Sequence, residues 1–452
     1  MSRRLLWCYV AAGALLSLGV SYRIATQSFY VGSDEGRWVY PYFWPFAWHS
    51  LVVLAWACSI TFATCALPLK LLDRHEWVMV GAWLVAALLV QGVLRGLTPF
   101  TFEQMFASDG ANSFYNPTKH YSTTTLLTTF DRLRPTFQLH AQSNMPGKVI
   151  LVSLLRHLSD RPAVLAWLVV LISNVAGGVL LYLFARDLFE DRRTALFSLI
   201  LYLLFPAKLY FFPLLNTVTP VAALACAFLL QRWLRTRRVV YSALLGVALY
   251  LLVFFDPLPL VLGLLFVFLL ARAWISEPLR GKDLLSQGGV AIATFAATYV
   301  LFLTIFRFDL LATFRATQVA AAAFNATVQR PYGVWVGANL IEFAFGAGIS
   351  QALIFCAVFI VAAGRAAAAP RGLSDPIVAL VLGLASVLIA VDLSGANRGE
   401  VTRLWIFLAA FFQIPGAYAC ARLQNRAALM VILGATLLQA ALGTSMIAFV
   451  LP

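Results

Sequence analysis

Charged residues are scarce in this sequence. Only 12% of its 452 residues are Asp, Glu, Lys or Arg, and the 19 acidic residues are outnumbered by 33 basic ones, which gives a net charge of +14. About a quarter of the residues of a soluble domain are charged, so the composition excludes an ordinary soluble domain. The hydrophobic fraction of 62% instead predicts an all-α polytopic membrane protein.

The sequence also lacks the common signatures of soluble enzymes and metal sites. Its six cysteines lie in or beside apolar segments without CxxC spacing, which argues against a disulfide framework or a zinc site. It contains no P-loop, dinucleotide-binding glycine motif, HExxH motif or GxSxG motif. Since no basic stripe is interleaved with aromatic residues, we expect no nucleic-acid partner. No cofactor is certain, and the one candidate is a divalent metal held by Asp109 with His120 and His140.

Apolar runs recur along the whole chain. We predict 11–13 transmembrane helices, because short basic loops alternate with longer outer segments as the positive-inside rule requires. The chain should form a single membrane domain, residues 1–452, with a large outer-face loop at 98–162 and a second outer-face loop at 307–337. The stretch 144–158 should be a juxtamembrane amphipathic helix lying on the outer membrane surface. The predicted spans are 5–22, 48–70, 77–97, 163–185, 194–212, 218–234, 239–255, 257–275, 285–306, 338–363, 375–392, 403–421 and 428–450.

Two polar segments of the large loop could carry chemistry. The segment 106–121 (FASDGANSFYNPTKHY) holds Asp109 beside a glycine, and its carboxylate could be a general base or merely form an Asx turn. The segment 139–149 (LHAQSNMPGKV) brings His140, Asn144 and Lys148 together at a helix start. That combination suits an anion, although an ordinary helix start with Lys148 reaching to lipid headgroups explains it equally well.

Two further segments place polar residues beside C-terminal spans. Arg330 and Tyr332 precede a predicted span in the segment 327–343, where aromatic residues also anchor helices at the membrane interface. The segment 392–405 (DLSGANRGEVTRLW) contains Arg398, Glu400 and Arg403 within a short turn. The two arginines could clamp a phosphate, with Glu400 orienting one of them. A salt-bridged connector is the alternative.

The order of these motifs resembles that of the GT-C glycosyltransferases, which include protein mannosyltransferases and the lipid A aminoarabinose transferase. An outer DG loop precedes a His-x-x-x-Asn-x-Pro-Gly segment, and the next span ends in the turn that begins LYLFARDLFEDRR. The segment SGANRGEVTRLWIFL (394–408) is similar to a motif of bacterial membrane proteins assigned to that group. In that family the loop with the essential aspartate follows the first span, so Asp34 and Glu35 in YVGSDEGRW (30–38) are the alternative to Asp109.

The resemblance implies an inverting glycosyltransferase. Its donor would be a polyprenyl-phosphate-linked sugar, and its acceptor a glycan, lipid or protein on the outer face of the membrane. Asp109 would be the general base, and Arg398 and Arg403 would stabilise the leaving phosphate, with Lys148 and His140 as further candidates. We expect an integral protein of a bacterial inner (plasma) membrane, in contact with membrane lipids, whose site faces the periplasm or exterior. A transporter or flippase of a lipid-linked sugar is the alternative.

Overall fold

The computed structural model describes residues 2–276 and 281–452, and these residues are almost entirely helical. Within them the only strands are the antiparallel pair β1 (Gly32–Ser33) and β2 (Trp38–Val39). The helices are α1 (Arg3–Ala25), α2 (His49–Cys65), α3 (Lys70–Arg74), α4 (Glu76–Arg95), α5 (Phe102–Ala107), α6 (Asn116–His120), α7 (Thr123–Leu133), α8 (Leu139–Gln142), α9 (Gly147–Arg156), α10 (Pro162–Leu171), α11 (Gly177–Phe189), α12 (Arg192–Leu204), α13 (Pro206–Phe211), α14 (Thr219–Thr236), α15 (Val239–Phe255), α16 (Gly263–Ser276), α17 (Gly281–Phe306), α18 (Leu310–Val328), α19 (Tyr332–Ala347), α20 (Ile349–Ala368), α21 (Pro376–Leu393), α22 (Val401–Leu404), α23 (Ile406–Phe411), α24 (Gln413–Arg422) and α25 (Arg426–Met446).

Nine helical stretches in the described residues are long and apolar enough to cross a membrane, and three shorter apolar helices accompany them. The twelve together fall within the predicted 11–13 crossings, and the all-α class is confirmed. The nine are Arg3–Ala25, Glu76–Arg95, Pro162–Phe189, Leu215–Thr236, Leu258–Ser276, Gly281–Phe306, Ile349–Ala368, Pro376–Leu393 and Arg426–Met446. The three are His49–Cys65, Val239–Phe255 and Ile406–Arg422.

Several predicted spans are interrupted, and the one at 403–421 is divided among α22, α23 and α24. The span predicted at 338–363 is two helices, α19 and α20, which meet at Gly348. Gly348 has φ +102°, a conformation that only glycine adopts readily. The span predicted at 194–212 ends as a helix at Leu204, and Pro206 begins α13 after an extended Phe205, because a residue before proline is disfavoured in the helical region. Apolar composition alone did not reveal these breaks.

The spans pack around one large core. Helix α1 lies against α20 and α25, and α12 lies against α24. The approach of α1 to α20 is close, since a Cβ at Gly13 would lie 2.8 Å from the Ser350 side chain. Small residues at such crossings allow helix backbones to approach each other in a membrane.

A second, separate core forms the lobe that the sequence predicts to lie on the outer face, here called the outer lobe. It joins Phe106, Phe130 and Val149 of the 98–162 region to Tyr250 near the end of α15 and to Phe308. The boundaries of the two predicted loops, 98–162 and 307–337, remain predictions. Apolar side chains of both loops do pack together in this core. Burying an aromatic side chain of this size contributes about 1.5–3 kcal/mol, which explains how an outer loop can hold a fixed shape.

Helix α9 differs from its predicted position. The stretch 144–158 was expected to lie on the membrane surface, yet Lys148, Val149, Ile150 and Val152 of α9 are all buried in the lobe. The helix packs directly on α15, because a Cβ at Gly147 would lie 2.5 Å from the Phe255 backbone. Its apolar face is therefore covered by protein.

Candidate active site

The turn between α21 and α22 is held by two polar side chains of α19. Asn339 donates to Asp392 Oδ1 at 3.1 Å and to the Asn397 carbonyl at 3.0 Å, and it accepts from the Gly399 N–H at 3.0 Å. Gly399 has φ +84°, which permits the sharp reversal. A buried amide that bonds the backbone on both sides of a turn fixes the shape of that turn.

Glu342, one turn after Asn339, supports the next residues of the same turn. Its Oε2 accepts from the Val401 N–H at 2.9 Å, and its backbone carbonyl accepts from the Thr402 hydroxyl at 3.0 Å. The side chain is buried, and Oε1 has no hydrogen-bond partner among the described residues. The sequence signal for this role was present, because two polar residues on one face of an apolar helix are unusual.

Arg330, Arg398, Glu400 and Arg403 form a compact group, here called the arginine cluster. Glu400 bonds Arg330 at 3.2 Å and Arg403 at 2.5 Å. Arg330 and Arg398 donate to each other's backbone carbonyls at 2.7 and 2.8 Å. The sequence prediction grouped Arg398, Glu400 and Arg403, and the structure adds Arg330 from a segment about 70 residues away.

The arginine cluster is largely buried and carries excess positive charge. The side chains of Arg330, Glu400 and Arg403 are only 9%, 18% and 14% exposed. Burial acts to raise the pKa of Glu400, but the charges of Arg403 and Arg330 outweigh it and hold that pKa below its usual value. Glu400 is therefore ionised, and one carboxylate faces three guanidinium groups. The buried Nε of each arginine has no hydrogen-bond partner among residues 2–276 and 281–452.

The β1–β2 hairpin lies on this cluster. The indole N–H of Trp335 donates to the Gly36 carbonyl at 3.1 Å, and a Cβ at Gly36 would lie 2.7 Å from the Trp335 ring. Trp335, which the sequence suggested as an interfacial anchor, is instead fully buried. Asp34 and Glu35 lie at the exposed tip of the hairpin.

Tyr40, just after the hairpin, is a site residue that no sequence signal identified. It is buried, and burial followed by the charges of Glu342 and Glu400 raises its pKa well above the usual value. Its hydroxyl has no hydrogen-bond partner in the described part of the chain. The neutral phenol is therefore an additional donor near the arginines.

Asp109 lies on a tight turn of the outer lobe. Its carboxylate is exposed and accepts from the Asn116 amide at 2.5 Å, while the neighbouring Ser108 hydroxyl accepts from the Ala111 N–H at 3.0 Å. The local side-chain bond to the turn backbone is thus made by Ser108, and the Asp109 carboxylate bonds a side-chain amide instead. The Asp109 carboxylate nevertheless remains open to solvent.

His140 connects the Asp109 turn to the arginine cluster. Its ring lies close to the backbone of Gly110, the residue after Asp109, and within electrostatic range of Arg403 and Glu400. Burial, reinforced by the charge of Arg403, lowers the pKa of His140 to about 4. The imidazole is therefore neutral at physiological pH, and the tertiary structure brings the two distant segments together around it.

Lys148 and Asn144 belong to a different arrangement. Lys148 Nζ lies 2.9 Å from Asp256 Oδ2 and 3.0 Å from Asn144 Oδ1, and its side chain is 2% exposed. Asp256 also accepts from the Thr219 hydroxyl at 3.1 Å and from the Leu258 N–H at 3.2 Å. The positive charge proposed for an anion is thus already matched within the protein. We call Lys148 and Asp256 the closed pair.

Tyr332 supports the arginine cluster from outside. Its hydroxyl donates to the Leu393 carbonyl at 2.8 Å, and its ring lies 5.7 Å from the Arg398 guanidinium carbon. The side chain is 42% exposed, so an approaching ligand would meet its ring before the buried arginines.

The suggested metal site finds no ligand set. Across residues 2–276 and 281–452, no three His, Cys, Asp or Glu side chains are grouped so as to hold a metal ion. The Asp109 carboxylate bonds the Asn116 amide instead. The described residues thus show no formed ligand set, and a divalent metal stays a prediction.

The arrangement of helices matches a GT-C-like fold. Two of the similar solved structures are of an oligosaccharyltransferase from Archaeoglobus fulgidus. One, a complex with Zn and sulfate, shares 18% identity and a TM-score of 0.52 and covers 80% of this chain and 53% of that chain. The other, AglB with an inhibitory peptide and a dolichol-phosphate, shares 17% identity and a TM-score of 0.52 over 83% of this chain and 56% of that chain.

This likeness concerns the fold. The chain spans about half the length of the oligosaccharyltransferase chains that it matches. No protein-family model matches the sequence, and no curated protein matches it either. The chain is therefore an integral membrane protein with a GT-C fold, and its chemistry has to be argued from its own residues.

Proposed function

We propose that the chain transfers a sugar from a polyprenyl-phosphate-linked donor to an acceptor hydroxyl at the outer face of the membrane, with inversion. The observation that carries the proposal is the buried arginine cluster, in which Arg330 and Arg403 share the carboxylate of Glu400 and Arg398 lies beside them. A carboxylate and an excess of buried guanidinium groups are the two features that such a transfer needs. The similar AglB structure, which contains a dolichol-phosphate, adds support for a lipid phosphate donor.

The proposed reaction is a single displacement. The acceptor oxygen attacks the anomeric carbon and loses its proton to the Asp109 carboxylate. The bond between that carbon and the phosphate oxygen breaks, and the polyprenyl phosphate leaves with the electron pair. Arg403 and Arg398 offset the developing charge, and the donor's prenyl chain would lie between the spans.

The arginine cluster and the basic loops should lie on opposite sides of the membrane. Helix α21 begins beside Asp375, which pairs with Arg365, and ends beside Asp392, which bonds Asn339. Its 18 residues separate the two ends by about 26 Å. The positive-inside rule puts the basic end in the cytoplasm, so we propose a bacterial inner membrane with the site facing the periplasm or exterior.

The deciding experiment compares two acids. Purified protein in proteoliposomes would be assayed with a panel of radiolabelled polyprenyl-phosphate sugars and acceptors. We expect Asp109→Asn to lower the transfer rate by about 100-fold or more, the usual contribution of a general base, and Glu103→Gln, an exposed acid of the same lobe, to have no effect. Loss of activity in Asp34→Asn with full activity in Asp109→Asn would move the base to the hairpin. Full activity in both would refute the mechanism.

A transporter or flippase of lipid-linked sugars is the second candidate. One observation favours it: Lys208 is 1% exposed, lies 3.7 Å from the Tyr202 ring centroid and forms no ion pair among the described residues. It donates to the Ser173 carbonyl at 3.3 Å, in the π-helical turn Ile172–Ala176. Broken helices and buried charges are common where transporters bind substrates. Accelerated flipping of a fluorescent polyprenyl-phosphate lipid, abolished by Lys208→Met and unaffected by Asp109→Asn, would favour transport.

A further inference from the structure

A cavity of about 310 Å³ lies between α20, α21 and α24. It includes Asp375 and Ile377 at the start of α21, whereas the candidate active site lies beyond the other end of that helix. The proposed reaction makes no use of this cavity. Its position coincides with the loops whose basic residues place them at the cytoplasmic membrane surface.

The cavity is amphipathic. Its inner wall is apolar and includes Val358, Val361 and Ala362 of α20. On the same turn of α20, Ile360 points outward and is 63% exposed at the surface of the apolar span. An apolar wall that continues into a lipid-facing surface suits a hydrocarbon chain better than a water-soluble ligand.

The rim of the cavity has unmatched positive charge. Arg365 pairs with Asp375 at 3.0 Å, and Asp375 also accepts from the Ile377 N–H at 3.2 Å. The second arginine of the rim, Arg422, is exposed and forms no ion pair in the described part of the chain. Two guanidinium groups therefore face one carboxylate, and the excess is one positive charge. A phosphodiester carries one negative charge.

We propose that this cavity binds an anionic phospholipid of the cytoplasmic leaflet. Arg422 contacts the phosphate with Arg365 beside it, the half-buried ring of Tyr418 lies at the level of the glycerol, and an acyl chain lies on the apolar wall. The leaflet supplies the ligand, because anionic lipids attract basic residues near that surface. The site is independent of the proposed transfer reaction.

Native mass spectrometry of the full chain tests the proposal. The detergent-solubilised protein would be titrated with phosphatidylglycerol and with phosphatidylcholine, and the bound fraction measured. We expect phosphatidylglycerol to bind preferentially and Arg422→Ala to weaken that binding about fivefold, the factor for one basic residue near an anionic surface. The matched control is Arg371→Ala, which removes the same charge from the neighbouring loop but does not line the cavity.

A second variant separates the cavity from surface charge. Val361→Phe fills the apolar wall without changing any charge, so we expect it to weaken lipid binding with Arg422 intact. Equal losses in Arg371→Ala and Arg422→Ala would reduce the effect to general surface attraction and overturn the proposal. Unchanged binding in a folded Val361→Phe protein would also overturn it. If that variant does not fold, the comparison of Arg422 with Arg371 decides alone.

Discussion

Two basic groups of the outer face differ in how completely their charges are matched. In the closed pair, Lys148 is bonded to Asp256 and Asn144, and Asp256 has two further donors. In the arginine cluster, a single ionised carboxylate, Glu400, is shared by its arginine neighbours, and their Nε groups stay unbonded. The first arrangement stabilises the lobe, whereas the second keeps donors for an anion.

The comparison teaches where to look for a substrate-binding cation. From sequence, Arg403 was a first candidate for the leaving phosphate and Lys148 a further one, because both stand in polar segments next to spans. Their partners separate them, and the partner of Lys148 lies 108 residues away. A basic residue is a stronger candidate for binding an anion where several cations share one carboxylate, as Arg330 and Arg403 share Glu400.

Breaking the closed pair should have the largest effect on stability. Lys148→Ala leaves Asp256 as an uncompensated buried charge, which costs about 3–5 kcal/mol. We expect the free energy of unfolding in detergent to fall by that amount and limited proteolysis to cut the outer lobe first. Lys119→Ala, an exposed lysine of the same lobe, should leave both unchanged. A stable Lys148→Ala protein that no longer binds donor would return Lys148 to the substrate site.

Removing an arginine from the arginine cluster should lower the transfer rate and leave stability nearly unchanged. Arg403→Ala removes a donor to the leaving phosphate, for which we expect a loss of about 100–1000-fold in kcat. Stability should change little, because Glu400 keeps its bond to Arg330. The measurement is the transfer rate beside a thermal unfolding curve, with Arg403→Lys as the charge-conserving control. An unfolded Arg403→Ala protein would show that the cluster is structural, like the closed pair.

Removing the Glu342 carboxylate, which supports the turn of the arginine cluster, should have an intermediate effect on the free energy of unfolding. Glu342→Ala removes the acceptor of the buried Val401 N–H, and leaving that group unbonded costs about 1–3 kcal/mol. Glu342→Gln keeps an acceptor oxygen and should retain most of the stability. Measured by chemical denaturation, equal losses in the two variants would contradict the assigned role.

The smallest expected effect is a dependence of stability on pH through His140, which lies between the two groups. An unfolded histidine takes up a proton near pH 6.5, but in the folded chain its pKa is about 4. The unfolded state therefore binds more protons between these values, and stability falls as the pH drops through that window. In unfolding curves at several pH values, His140→Gln should lack this component. An identical pH dependence of stability in the unaltered protein and in His140→Gln would contradict the assignment of this effect to His140.

Much of the fold could be predicted because its signals are local. Twenty apolar residues in succession define a span wherever they occur, and the basic loops order the spans. The breaks at Gly348 and Phe205 were missed because composition is averaged over a window, whereas a break depends on one residue's φ and ψ. The buried position of α9 was missed because its apolar face suits lipid and protein equally.

The sequence by itself determined a helical membrane protein, the candidate acids Asp109 and Asp34, and the grouping of Arg398, Glu400 and Arg403 within one turn. Only the tertiary structure added Arg330 and Tyr40 to that turn, paired Lys148 with Asp256 and brought His140 beside Gly110. The physical reason is that the tendency of a segment to be buried in the membrane follows from its own consecutive residues. The matching of charges depends on which distant segments the packed helices bring into contact.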